Sequence, residues 1–221
     1  MIKAVFLDFY GTVVHEDGEV IQKITQIIHE TGDMEEPSKI AAFWWKEFQE
    51  MCDKAYGDAF ETQRVLELKS LRNTISWFHS SADEEKLSGQ MFEHWQNPPV
   101  FEDTKEFLEQ CSVPVYIVSN TDNVDVEEAM RFHGLSAAGV FTSEDARSYK
   151  PRRELFELAL NTTGCKPEEV VHIGDSLNSD VKGASQLGIR TIWLNRNGKE
   201  VPEGVSAVNS LTEALEIIKT L

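Results

Sequence analysis

Short apolar runs of strand length recur along this chain and alternate with helical patterns. The runs have four to seven residues: Ala4–Asp8, Val113–Ser119, Val170–Ile173 and Thr191–Leu194, with Val140-Phe141 as a shorter one. Runs this short and this apolar are typical of strands that are buried on both faces. Because strands alternate with helices, we expect an α/β fold whose parallel sheet is covered by helices on both sides.

The alternation is interrupted between residues 14 and 98, where only helical periodicity is found. Four helices are predicted there: Val20–Glu30, Ser38–Ala55, Glu61–Phe78 and Asp83–Trp95. We therefore expect a Rossmann-like core formed by residues 1–13 and 99–221, with an inserted helical domain at 14–98. The aromatic side chains of the insertion have helical spacing, which predicts core packing rather than a stacking surface for substrate: Trp44, Trp45, Phe48, Phe78 and Trp95.

Several helix ends can also be predicted. Asp103 with Glu106, and Ser210 with Glu213, have the spacing of a capping box. Pro151 suits the first turn of a helix, where its missing N–H costs nothing.

Charge and cysteine content limit the possible partners. The chain has 38 acidic and 21 basic residues and a formal net charge of −17. We expect no nucleic-acid partner, because such binding needs a basic surface. No apolar run approaches the ~20 residues of a membrane span, so no membrane partner is expected. The scattered cysteines predict reduced thiols in a cytoplasmic protein: Cys52, Cys111 and Cys165.

Polar side chains suited to catalysis end or follow the predicted strands in four segments. The first runs from Asp8 to Thr12, the second is Ser119-Asn120, the third contains Lys150, and the fourth runs from Asp175 to Asp180. Parallel strands of one sheet bring their carboxyl ends to one crevice. A carboxylate, hydroxyl groups, an ammonium group and two further carboxylates are therefore predicted to meet there.

The order of these four segments resembles the haloacid dehalogenase-like hydrolase superfamily. The resemblance covers nearly the whole chain, and the inserted helices are similar to the helical cap of that superfamily. It implies that Asp8 is the nucleophile and forms a covalent aspartyl intermediate. It also implies that Thr12, Ser119 and Asn120 hydrogen-bond the transferring group, and that Lys150 neutralises charge beside Asp8.

The same resemblance implies a metal site. Asp8, Asp175 and the backbone carbonyl of Tyr10 would bind Mg²⁺, and Asp180 would support the water ligands of the metal or Lys150. Oxygen ligands on separate loops are what Mg²⁺ prefers.

Tyr10 departs from the pattern of the phosphatases in this superfamily, which usually carry aspartate at that position. General acid–base help is worth roughly 10²–10⁴ in rate, and a tyrosine with a reference pKa near ~10 is a poor base. Asp-x-Tyr-Gly-Thr is the pattern of the 2-haloacid dehalogenases, in which halide leaves carbon without needing a proton. His15 follows the first motif closely enough to reach the crevice as a replacement acid, although a solvated linker histidine is the simpler interpretation.

Two features favour phosphate chemistry over dehalogenation. The dehalogenases use no metal and typically lack an acidic residue at the position of Asp175, which is present here. They also carry a halide-binding arginine early in the cap, where this chain has Trp45. The adjacent Lys46 points roughly 100° away on a helix.

The first hypothesis is therefore a Mg²⁺-dependent phosphatase that acts on a small phosphorylated, and hence anionic, metabolite. The alternative is a metal-independent 2-haloacid dehalogenase. A further alternative is a catalytically weak protein that binds a phosphorylated metabolite.

Overall fold

The computed structural model describes all 221 residues and contains one six-stranded sheet. Its strands are β1 Ala4–Leu7, β2 Val115–Ser119, β3 Gly139–Thr142, β4 Val170–Gly174, β5 Arg190–Leu194 and β6 Ala207–Val208. All neighbouring strands are parallel, in the order β3-β2-β1-β4-β5-β6. The predicted α/β fold with a Rossmann-like parallel sheet is confirmed. The short strand β6 was not predicted from the sequence.

The strand order reverses at β1, which lies between β2 and β4. Leu7 is in register with Ile117 of β2 and with Ile173 of β4. The next residue, Asp8, donates its backbone N–H to the carbonyl of Ile173 at 2.9 Å. In open α/β sheets a crevice forms outside the carboxyl ends of strands where the order reverses. The segments that follow β1, β2 and β4 therefore meet at one place.

Both faces of the sheet are buried by helices. Along β1, Val5 and Leu7 belong to one hydrophobic cluster and Ala4 and Phe6 to another, as expected when successive side chains point to opposite faces. The helices around the sheet are α5 Thr104–Gln110, α6 Asn123–His133, α7 Ser143–Ala146, α8 Glu154–Thr163, α9 Gly183–Ser185 and α10 Leu211–Ile218. The first cluster includes residues of α5, α6 and α10, and the second includes residues of α8 and α9.

The four predicted helices of the insertion are present and have a hydrophobic core of their own. They are α1 Gly18–Thr31, α2 Pro37–Lys54, α3 Gln63–Trp77 and α4 Glu84–Gln96, called here the four-helix segment. Its core is separate from the two sheet clusters and includes Ile24, Trp44, Leu71 and Trp95. The exact domain boundaries at residues 13 and 99 stay a prediction. None of the helices in the structure is long and apolar enough to cross a membrane.

The amino end of α3 is fixed to the sheet core. The backbone N–H groups of Gln63 and Arg64 donate to the carboxylate of Asp122 at 2.7 and 2.9 Å. The Arg64 guanidinium makes two further hydrogen bonds to Asp125 on α6, at 2.8 and 2.6 Å. A carboxylate at a helix amino end accepts hydrogen bonds from the free N–H groups there and interacts favourably with the positive end of the helix dipole. The side chains of α3 are therefore held in a defined position over the crevice.

Three local predictions were wrong. The Asp103 carboxylate does not cap α5, because it accepts hydrogen bonds from the guanidinium of Arg196 and the backbone N–H of Leu211 instead. Pro151 precedes α8 by three residues and lies in a turn. Trp45 is 56% exposed and is not part of a core, whereas Trp44 is buried as predicted. The other capping position, Ser210, does accept from the N–H of Glu213 at 3.1 Å.

Candidate active site

Lys150 joins two aspartates that are far apart in the sequence. Its ammonium group donates to Asp8 Oδ1 at 2.7 Å, to Asp180 Oδ1 at 2.6 Å and to the backbone carbonyl of Val118 at 2.9 Å. The side chain is 2% exposed, and an ammonium group has three donors, so all three are used. Burial lowers the pKa of Lys150, but the Asp180 and Asp8 carboxylates outweigh it and raise the pKa above its ordinary value. The lysine is therefore permanently charged beside Asp8.

Asp180 is held by the turn that follows β4. Its Oδ1 also contacts Nε2 of His172 at 2.9 Å, and its Oδ2 accepts from the backbone N–H of Ser176 at 3.0 Å. A Cβ atom at Gly174 would lie 2.2 Å from Cγ of Asp180, so only glycine lets the two segments approach this closely. Burial raises the pKa of Asp180, but Lys150 and His172 outweigh it and hold the pKa below its usual range.

Three carboxylates share a small volume at the sheet edge. Oxygen atoms of Asp8, Asp175 and Asp180 all lie within 4.8 Å of one another. Burial and the charge of Asp180 raise the pKa of Asp8 to about 7. Burial and the charge of Asp8 raise the pKa of Asp175 to about 8. One ammonium group does not balance three carboxylates, so this cluster has the donor set and the surplus charge of a site that could bind a cation.

Asp175 is positioned through its backbone. Its carbonyl accepts a hydrogen bond from the indole Nε1 of Trp193 at 2.7 Å, and no protein group donates to its side chain. Gly11 leaves room for this carboxylate, because a Cβ atom there would lie 2.6 Å from Asp175 Cγ and the glycine has a φ of +81°. The carboxylate is thus directed towards Asp8 without a protein partner.

The Tyr10 hydroxyl forms its hydrogen bond with the four-helix segment. It donates a hydrogen bond to the backbone carbonyl of Trp95 at the end of α4. Burial, together with the charges of Asp125 and Asp17, raises the pKa of Tyr10 well above its ordinary value. Its phenol therefore keeps its proton and links the loop after β1 to the four-helix segment. The role of its backbone carbonyl as a metal ligand stays a prediction.

The remaining predicted residues surround Lys150 and Asp8. Asn120 exchanges two hydrogen bonds with the backbone of Lys150, at 3.0 and 2.6 Å, and so fixes the lysine in place. The hydroxyl of Ser119 donates to that of Thr121 at 3.1 Å, and the hydroxyl of Thr12 is buried without a partner. His15, in contrast, stacks on Phe101 outside this crevice.

A cavity of about 680 Å³ lies between the sheet edge and the four-helix segment. Every predicted site residue except Thr12 lines it: Asp8, Tyr10, Ser119, Asn120, Lys150, Asp175 and Asp180. The four-helix segment contributes further lining residues that were not predicted, among them Glu67 and the exposed Trp45. A signal for Glu67 was present in the sequence, since it shares a helix face with the buried Leu71 and Thr74, four and seven residues later.

The sheet, the crevice and the paired Asp8 and Lys150 define a Rossmann-like α/β core with a buried carboxylate–ammonium pair at the carboxyl ends of its strands. The chain matches the haloacid dehalogenase-like hydrolase family over residues 2–188. It therefore belongs to that family, and the predicted resemblance is confirmed.

Proteins similar in sequence to this chain include some named as phosphatases and some named as dehalogenases. Haloacid dehalogenase-like hydrolase domain-containing protein 3 of Danio rerio is 34% identical over 126 residues, which cover 53% of this chain and 52% of that protein. N-acylneuraminate-9-phosphatase of Homo sapiens is 23% identical, with 100% of this chain and 95% of that protein covered. The chain thus spans about half the length of the first relative and nearly all of the second.

Among solved structures, the L-2-haloacid dehalogenase from Xanthobacter autotrophicus superposes with a TM-score of 0.78. The two chains are 19% identical, and 100% of each is covered. At this identity the likeness shows a shared fold.

Proposed function

We propose that this protein is a Mg²⁺-dependent phosphatase that acts on a small phosphorylated metabolite through an aspartyl-phosphate at Asp8. The observation that carries the proposal is the cluster of Asp8, Asp175 and Asp180 around a single ammonium group. Buried negative charge in such surplus is disfavoured unless a cation or a proton balances it, and Mg²⁺ held by these oxygens would supply that balance. The phosphatase name of a relative that aligns over the whole chain supports the same reading.

Asp8 and Asp175 would hold Mg²⁺ together with the backbone carbonyl of Tyr10. When bound, the ion would shield the negative charge of the phosphoryl group from these carboxylates. Asp180 is less suited to bind the ion directly, because Lys150, His172 and the N–H of Ser176 already use both of its oxygens. We assign it the role of holding Lys150.

The residues of this chain then divide the reaction between them. A carboxylate oxygen of Asp8 attacks phosphorus, the bond to the ester oxygen breaks, and the leaving oxygen takes a proton from water. Lys150 stabilises the charge on the transferring group, with hydrogen bonds from Thr12, Ser119 and the Asn120 backbone. A water molecule next attacks phosphorus, which releases phosphate and frees Asp8. The four-helix segment would act as the cap that closes over the crevice and excludes bulk water.

The side chain of Tyr10 does not replace the missing proton donor. The hydroxyl of Tyr10 is bonded to Trp95, and its pKa is far above neutrality. We therefore expect aryl and acyl phosphates, whose leaving groups need little protonation, to react faster than alkyl phosphates.

Tyr10 is also the observation that favours a second candidate, a metal-independent 2-haloacid dehalogenase. Displacement of halide by Asp8 needs no proton transfer. Two features make this the weaker candidate: the Asp175 carboxylate beside the nucleophile, and Trp45 where a halide-binding arginine is expected. A protein that binds a phosphorylated metabolite without turnover is the third candidate. In all cases the unpaired thiols fit the proposed cytoplasmic location: Cys52, Cys111 and Cys165.

The test is hydrolysis of p-nitrophenyl phosphate with Mg²⁺ and with EDTA, by the parent protein and by Asp8→Asn. The matched control is Asp58→Asn, which changes an aspartate outside the cavity. We expect activity that requires both Mg²⁺ and Asp8 and is unchanged by the control substitution. Full activity in Asp8→Asn would refute the mechanism.

Chloride release from 2-chloropropionate in EDTA is measured on the same preparations. Release that depends on Asp8 would replace the proposal with the dehalogenase reading. Phosphate binding without either reaction would leave the binding protein as the function.

A further inference from the structure

Glu67 of α3 is a buried carboxyl group without a protein partner. The residue is 6% exposed, and its Oε1 atom is fully buried with no hydrogen bond. Burial, followed by the charge of Asp17, raises the pKa of Glu67 to about 8. An unpaired buried polar group lowers stability, so its presence calls for a reason other than packing. Glu67 lines the cavity that contains Asp8, and its second carboxyl oxygen, Oε2, is not buried and also has no protein partner, so a ligand in the cavity would reach the carboxyl group through this atom.

A second unpaired acceptor lies one helical turn away. Oε1 of Gln63 is also buried without a partner, and Gln63 lines the same cavity. Residues four apart lie on the same face of a helix, so the two side chains flank one region of the cavity. Because α3 is fixed by Asp122 and by Asp125, which binds Arg64, both acceptors are held in place over the crevice.

This region lies apart from the nucleophile. Asp8 follows β1 of the sheet, whereas Glu67 lies on α3 of the four-helix segment, which forms the other wall of the cavity. Asp17 itself accepts a hydrogen bond from the indole of Trp95 at 3.2 Å. A phosphoryl group placed at Asp8 would therefore leave the organic part of the substrate to reach Glu67.

The charges of the cavity restrict what this organic part can be. Three cationic side chains line the cavity, and none is paired with Glu67. Lys150 is bound by Asp8 and Asp180, Arg152 donates to the backbone carbonyl of Asp53, and Lys199 lies near Glu16. Seven acidic residues line the cavity against these three cations, so a second anionic group would enter a region with an excess of carboxyl groups. Hydroxyl and amide N–H groups, in contrast, would satisfy the free acceptors.

We propose that Glu67, assisted by Gln63, is a specificity-determining residue that hydrogen-bonds uncharged donor groups in the organic part of the substrate. The preferred substrates are then phosphate monoesters that carry hydroxyl or amide N–H groups and no carboxylate. This inference rests on the proposed function for the position of the phosphoryl group.

The test uses substitutions that separate shape from hydrogen bonding. Glu67→Met removes the acceptor and keeps an unbranched side chain, Glu67→Gln keeps an acceptor oxygen, and Glu93→Gln is the control on the exposed face of α4. The substrates are p-nitrophenyl phosphate and a panel of polyol phosphates, sugar phosphates and nucleoside monophosphates. Sorbitol 6-phosphate and 6-phosphogluconate form a matched pair within the panel, because they differ only by a terminal alcohol or carboxylate.

The quantity measured is selectivity, the kcat/KM of the best panel substrate divided by that for p-nitrophenyl phosphate. We expect Glu67→Met to lower selectivity about tenfold or more, mainly through KM, and Glu67→Gln to restore most of it. We also expect the alcohol of the matched pair to exceed the acid by about tenfold or more in the parent protein. Unchanged selectivity in Glu67→Met, or acid-bearing esters as the best substrates, would overturn the inference.

Binding is measured separately from turnover, in the Asp8→Asn background with the same panel. Trp44, Trp45 and Trp95 line the cavity, so their fluorescence reports on its occupancy. If the parent protein shows no phosphatase activity, but Glu67→Met weakens binding in the Asp8→Asn background, the subsite is supported and the proposed function is refuted. Turnover with binding that is insensitive to Glu67 would do the reverse.

Discussion

Replacement of Glu67 by glutamine should change how the stability of the protein depends on pH. Burial and Asp17 raise the pKa of Glu67 from its ordinary value of 4.5 to about 8. A carboxyl group whose pKa is raised on folding is best tolerated while it is protonated. Its contribution to stability is therefore fully present below pH 4.5, and it is lost progressively as the pH rises through 8.

The size of this effect follows from the two pKa values. Each pH unit between 4.5 and about 8 is worth roughly 1.4 kcal/mol, so the free energy of unfolding should fall by up to about 5 kcal/mol because of Glu67 alone. Glutamine has the same shape and no charge, so Glu67→Gln should remove this loss. The parent and the variant should have similar stability at pH 5, and the variant should be several kcal/mol more stable at pH 9.

The assay is urea unfolding of the parent, Glu67→Gln and Glu93→Gln at pH 5, 7 and 9 in EDTA. Asp8 and Asp175 titrate in all three proteins, so the difference between variant and parent isolates Glu67. The exposed Glu93 should show no such divergence. If the free energy of unfolding changes equally with pH in the parent and in Glu67→Gln between pH 5 and pH 9, the buried, unpaired state of this carboxyl group is refuted.

Three further predictions concern residues of the candidate site. Lys150→Met leaves Asp8 and Asp180 without their ammonium group, so unfolding experiments should show a loss of about 3–5 kcal/mol and kinetics a loss of turnover, while exposed Lys69→Met should show neither. Gly174→Ala should displace Asp180 and lower both activity and stability, whereas Gly89→Ala on α4, where a Cβ atom meets nothing within 4 Å, should raise stability by about 1 kcal/mol. Tyr10→Phe removes the hydrogen bond to Trp95, so it should lower the free energy of unfolding by about 1 kcal/mol and leave the aryl-over-alkyl preference unchanged; a larger preference in this variant would contradict the view that the phenol takes no part in proton transfer.

The residues at the strand ends could be predicted because their placement is encoded locally. Asp8 directly follows a buried strand, and Asp175 directly follows another, so the parallel sheet alone brings them to the same edge. The helices of the insertion were also predictable, since each has its own apolar periodicity.

Long-range partners could not be predicted from such patterns. His172 lies within the predicted strand Val170–Ile173, and its contact with Asp180 depends on how the turn after β4 folds back. Asp103 has the spacing of a capping box, but two partners from the distant C-terminal part of the chain, Arg196 and Leu211, compete successfully for its carboxylate. Trp45 has the spacing of a core residue, yet α2 turns it towards the cavity.

Tyr10 and Asp175 need not indicate two different reactions. The Asp175 carboxylate adds negative charge that a bound cation would neutralise, and such a cation would assist the transfer of the phosphoryl group. Tyr10 occupies the position of a proton donor, but it donates its hydrogen bond to the four-helix segment, and this feature concerns the leaving group. A phosphatase that has the cation-binding carboxylate but lacks a proton donor would have a rate that depends on the acidity of its leaving group. The slope of log kcat/KM against leaving-group pKa, measured with a series of substituted aryl phosphates, should therefore be steeply negative. A slope near zero would mean that a proton donor other than Tyr10 acts in this crevice.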